Sequence, residues 1–91
     1  MPKRRRFEIV YGHRAVWIND ATGCLGRLGV HGIDVHSTIE NQVAGAPQCL
    51  FCTHGTVGPT DWPKFIDAML EFHRIDIRSQ PLPVWLGGRA V

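Results

Sequence analysis

A chain of 91 residues, 44% hydrophobic and 20% charged, makes one folded domain at most and is not a disordered polymer. At this length folding buries roughly 60–65% of the unfolded surface, so the core is marginal, and a bound metal or an oligomer interface would add useful stability. The net charge is +2, yet Lys3, Arg4, Arg5 and Arg6 alone carry four positive charges and leave −2 on the remainder. A basic face spread over the whole domain is thereby excluded, and attraction for nucleic acid is concentrated in the N-terminal arm.

That arm runs directly into Phe7-Glu8, not into the apolar segment of a signal peptide, and no stretch approaches the apolar length of a membrane span. A cytoplasmic protein with reduced thiols and no membrane partner is the expectation. In that setting a C-x-x-C pair marks a metal or redox site more often than a disulfide.

Along the chain, residues 1–6 read as a flexible basic arm, 7–79 as a single compact α+β domain and 80–91 as a Pro-rich tail. Phe7, Ile9 and Tyr11 alternate with Glu8 and Val10, and Ala15-Val16-Trp17-Ile18 resumes a β pattern after Gly12-His13. A hairpin with a glycine-first type II′ turn is expected there. Asn19-Asp20-Ala21-Thr22-Gly23 reads as a second turn. A third strand follows near Cys24–Val30, bent or bulged by Gly26 and Gly29. Ser37-Thr38-Ile39-Glu40 has the form of a capping box and predicts a short helix over Thr38–Ala44, stopped by Gly45 and Pro47. Thr60 or Asp61 caps the clearest helix, with Pro63 in its first turn and Trp62, Phe65, Ile66, Met69, Leu70 and His73 along one face. Pro81 and Pro83 keep the tail non-helical. Trp85 and Leu86 would be poor residues to leave in water, so they are candidates for strapping the core or binding a partner. The expected architecture is a small antiparallel sheet of about three strands, with one short and one longer helix packed on it.

The densest chemistry lies in Cys49-Leu50-Phe51-Cys52-Thr53-His54, which places three good metal ligands within six residues. Cys49 and Cys52 have the spacing of a zinc-knuckle-like loop, and His54, two residues on, either joins them as a third ligand or is directed away by the same loop. The fourth ligand must come from elsewhere; His36 is preferred, then Cys24, then His31. The glycines and proline after the cluster leave no helix to activate a thioredoxin-like pair. The glycines at 23, 26 and 29 are not followed by the helix a dinucleotide fingerprint requires.

His36-Ser37-Thr38-Ile39 and His54-Gly55-Thr56-Val57 resemble the paired His-x-Thr-apolar signature of the two-histidine phosphoesterases. That resemblance implies His36 and His54 as acid and base on a phosphodiester. The order Asp34-Val35-His36, Asn41, Cys49-x-x-Cys52-x-His54 resembles the HNH, or ββα-metal, nucleases. This second resemblance implies water activation by His36, and a divalent metal held by His54 with an acidic residue beside the scissile phosphate. Neither pattern extends over the whole chain, and Asp34 and Asn41 have ordinary readings as turn and helix-surface residues. The function favoured by the residues is non-enzymatic: a zinc-stabilised binding module for a macromolecular partner, either a protein (a second copy included) or nucleic acid. A small metal-dependent phosphodiesterase using His36 and His54 is the alternative.

Overall fold

A computed structural model describes residues 6–21, 23–36 and 49–88. Short runs that alternate inward apolar and outward polar side chains form five strands: β1 (Glu8–Gly12), β2 (Ala15–Asp20), β3 (Gly23–Gly29), β4 (Gly32–His36) and β5 (Cys49–Thr53). They make one antiparallel sheet in the order β1-β2-β3-β4-β5, each strand paired with its neighbour in sequence. The expected three-strand sheet with two helices is therefore corrected. The described residues hold five strands, a single α-helix, α1 (Asp61–His73), and one turn of 3-10 helix at Val84–Leu86. The expected helix over Thr38–Ala44 lies outside the described residues. The architecture is still α+β.

Both unexpected strands have a physical reason. In β4 Ile33 and Val35 point into the core, while Asp34 and His36 lie on the other face; this is strand alternation over only five residues. In β5 the cysteines belong to an extended edge strand and not to a knuckle loop. The first hairpin also departs from expectation. Its two-residue connection is His13-Arg14; Gly12 pairs with Ala15 inside the ladder, and Arg14 takes the left-handed conformation at φ 59°.

One face of the sheet carries the core. Val16, Ile18, Leu25, Leu28, Ile33 and Val35 are fully buried there. Between the pairs Ile18–Gly26 and Asn19–Cys24 the register shifts, so Leu25 is an extra residue in β3. The bulge turns both Leu25 and Gly26 inward. Helix α1 lies across β3 and β4. A Cβ on Gly26 would stand 2.7 Å from the Met69 sulfur and 3.2 Å from the Phe65 ring, so the missing side chain sets how closely the helix approaches. Trp62, Phe65, Ile66, Ala68 and Met69 are buried from the helix side. Each of the larger ones contributes about 1.5–3 kcal/mol on leaving water.

The helix begins where Asp61 accepts the Gly58 N–H at 2.6 Å. It ends at Arg74, left-handed at φ 58°, where the N–H groups of Arg74 and Ile75 donate to the carbonyls of Leu70 and Met69. Beyond it Ile75, Ile77 and Leu86 close the core, with Leu82 and Trp85 packed at its margin. The tail residue Leu86 thus serves the chain's own interior, and Trp85 is half-buried. No helix among the described residues is long and apolar enough to cross a membrane.

Candidate metal centre

The face of the sheet away from α1 carries the chemistry. One cross-strand row runs Val10, Trp17, Arg27, Asp34, Cys52 from edge to edge, each directly opposite the next. Cys52 and His54 are two residues apart in extended chain, the spacing that puts side chains on one face. Their sulfur and Nε2 atoms are 3.0 Å apart. Asp34, directly across the ladder from Cys52, brings Oδ1 to within 2.8 Å of that same sulfur. One ligand atom from each of Asp34, Cys52 and His54 lies within 4.8 Å of the others, so the group could hold a metal ion.

Cys49 joins this face because of a second bulge. Cys49 and Cys52 are three residues apart, so regular alternation would turn them to opposite faces. Val35 pairs with Phe51, however, and His36 with Cys49, so Leu50 is an extra residue. The slip returns Cys49 to the side of Cys52, with its sulfur 3.9 Å from Asp34 Oδ1 and 3.1 Å from the Phe51 carbonyl oxygen. Phe51 packs against the core and Leu50 is exposed.

The electrostatics centre on Asp34. Arg27 donates to Oδ2 at 3.0 Å, which leaves Oδ1 for the thiols. Burial pushes the Asp34 carboxyl up. The Cys52 and Arg27 hydrogen bonds and the charges of Arg27 and His36 outweigh it and hold the group below its ordinary value. The same contact works in reverse on Cys52, whose thiol is pushed up to about 12, first by its hydrogen bond to Asp34, then by desolvation and the neighbouring Cys49 thiol. Without a metal, the thiol keeps its proton and points it at an ionised carboxylate. A metal cation would replace that shared proton.

Of the residues named from sequence, Cys52 and His54 come together and Cys49 stands beside them. His36 lies on the same face two residues from Asp34, close enough for its charge to act on that carboxyl, but it is outside the three-ligand group. Cys24 occupies β3, donates to the Gly26 carbonyl at 3.4 Å, and has its thiol raised mainly by burial. His31 sits in the β3–β4 turn. Lys3, Arg4 and Arg5 lie outside the described residues, and Arg6 is exposed at the foot of β1. Asp34 is the member of this group that sequence reading left as a turn residue; its signal was the position between Ile33 and Val35, which puts it on the face opposite the core.

Comparison with known proteins finds no matching family model, no matching curated relative and no matching solved structure.

Proposed function

We propose that this protein is a small zinc-stabilised binding module, in which the ion pins the edge strand β5 and the segment after it to the body of the sheet for recognition of a macromolecular partner. The observation that carries the reading is the convergence within 4.8 Å of a carboxylate from β4, a thiol from β5 and an imidazole from the residue just past β5. A mixed O, S, N donor set suits zinc, a borderline-soft ion, better than the hard ions that take oxygen alone. The distances fit with little movement. Tetrahedral zinc with these donors separates its ligand atoms by roughly 3.3–3.8 Å, against 2.8 Å for Asp34–Cys52 and 3.0 Å for Cys52–His54. Each pair therefore opens by roughly 0.3–1 Å, which the exposed Cys52 and His54 side chains allow. Among the described residues Cys49, with its sulfur 3.9 Å from Asp34 Oδ1, is a candidate for the fourth position. Arg27, fixing the far oxygen of Asp34, is the kind of outer partner that orients a ligating carboxylate.

The phosphodiesterase alternative fares less well on geometry. Cys49 pairs with His36 and Thr53 with Ile33, so His36 and His54 stand at opposite ends of the β4–β5 ladder. At least three strand residues, roughly 10 Å, separate their levels, too far for an acid and a base on one scissile phosphate.

The test is metal content by elemental mass spectrometry. About one zinc per chain is expected in the wild type, little in Cys52→Ser or His54→Ala, and a full complement in Cys24→Ser. A folded, metal-free wild type that takes up no zinc on addition overturns the reading.

A further inference from the structure

The hairpin β1–β2, the turn β3–β4 and the segment after β5 all lie at one end of the antiparallel sheet, and two clefts open there. The first has a volume of about 360 Å³ and is lined by His13, Arg14, Trp17, Arg27, Val30 and His31, with Ala15 and Gly29 as its floor. These two small residues pair across the ladder. They leave a hollow between the Trp17–Arg27 pair on one side and the turn residues on the other. The second cleft, about 530 Å³, shares Arg14, Val30 and His31 with the first and continues past His54 to Trp85.

Three observations say what these clefts would take. No acidic side chain lines either one, whereas two arginines and three histidines do. Each contains an indole: Trp17, half-buried, and Trp85, whose shielded Nε1–H has no acceptor among the described residues. Arg14 holds a left-handed backbone at φ 59°, a conformation that costs an L-residue free energy and that glycine would adopt freely. A long cation kept at the one position of the hairpin where glycine fits better points to a use for that side chain.

We infer that the joined clefts bind a single strand of nucleic acid, with a base stacked on Trp17 and phosphates held by Arg14 and His31. Cations along a groove with aromatic platforms are how sequence-tolerant binders grip a single strand, and two adjoining clefts exceed what one nucleotide fills. The inference rests on the binding-module reading for its context and names the partner, but it uses no metal ligand except His54 at the margin.

The experiment is a fluorescence-anisotropy titration of a labelled oligothymidylate against wild type, Arg14→Gly and Gly29→Val at several salt concentrations, with zinc content measured on every sample. Both variants should fold. Arg14→Gly relieves the backbone, and a Cβ at position 29 meets nothing closer than the Ala15 Cβ at 3.5 Å, while valine fills the hollow. Wild type should bind with an affinity that falls as salt rises. Arg14→Gly should bind about tenfold more weakly with a salt slope shallower by roughly 0.7. Gly29→Val should weaken binding by about tenfold or more through loss of the stack. Both should keep wild-type zinc.

Unchanged affinity in both variants overturns the inference, and loss of binding only when residues 3–6 are deleted would assign the contact to the arm instead. Equal competition by polyglutamate would make this a site for acidic protein, and equal binding of free thymidine monophosphate a mononucleotide pocket; either result overturns the strand. Because zinc is read on the same samples, failure of the metal reading shows separately: a Cys52→Ser protein without zinc that still binds the strand leaves this inference standing.

Discussion

Gly32 opens β4 with φ 121°, and a Cβ built there would overlap the Thr53 carbonyl oxygen and stand 2.6 Å from its carbon and 3.1 Å from the His54 Cα. Gly32→Ala therefore carries two costs. The left-handed side of the backbone map costs an alanine about 1–3 kcal/mol. Displacing the end of β5 adds about 1–3 kcal/mol of overpacking, because the obstructing atoms are backbone and cannot swing aside. Gly23→Ala is the matched control: its φ is 126°, yet nothing lies within 4 Å of the new Cβ, so it bears the first cost alone. In a domain of this size 1 kcal/mol moves the midpoint by roughly 4–8 °C. Thermal unfolding followed by circular dichroism should thus place Gly32→Ala about 5–20 °C below Gly23→Ala. Zinc affinity, read by competition with a chromophoric chelator, should fall in Gly32→Ala only, since His54 moves with Thr53. Equal midpoints for the two variants would refute the close approach of β5 to the start of β4.

Three further outcomes are expected. Arg74→Gly removes the left-handed strain at the end of α1 and should raise stability by about 1 kcal/mol, measured by urea unfolding; a loss of stability would mean that Arg74 makes contacts worth more than its strain. In a Cys49→Ser background, Asp34→Asn removes the carboxylate that holds the Cys52 thiol up near 12. Alkylation of Cys52 by iodoacetamide at mildly alkaline pH should then become faster, whereas an unaltered rate would deny the thiol–carboxylate contact. Asp76 is held at about 2 by its hydrogen bonds to Arg78. A depressed carboxyl contributes to stability in full above its unfolded pKa of about 4 and loses that contribution as pH falls toward the folded value. Carbon-detected NMR should place the Asp76 midpoint near 2 in wild type and higher in Arg78→Ala, still below its ordinary value because the backbone N–H of residue 78 goes on donating to the carboxylate.

The parts of the fold written in long patterns were legible. The helix face Trp62, Phe65, Ile66, Met69 and His73 is buried, the first hairpin forms, and the glycine-bearing third strand carries its bulge. What stayed hidden was short or disguised. β4 has only five residues, too few for alternation to stand out, and Asp34 at its centre reads from sequence as a turn residue. β5 was obscured by its own chemistry, because C-x-x-C suggests a knuckle while the chain here is extended. In a strand the informative spacing is Cys52-x-His54, and the partner that completes the group, Asp34, comes from across the ladder. Sequence spacing cannot supply a cross-strand neighbour, since its identity depends on register. Here that register includes a one-residue slip at Leu50.

That slip has a consequence for the chain among other chains. Among the described residues β5 is the last strand of the sheet, and a flat edge with unpaired amides is a template for joining another molecule. The extra residue breaks the regular repeat of the strand, and a bound cation on its face would add charge to the same edge. Deleting Leu50 would leave Cys49 two residues from Cys52, still on the same face by plain alternation, and would turn the strand into a straight, regular margin open to aggregation. A single residue of insertion thus makes this edge a poorer template for another strand.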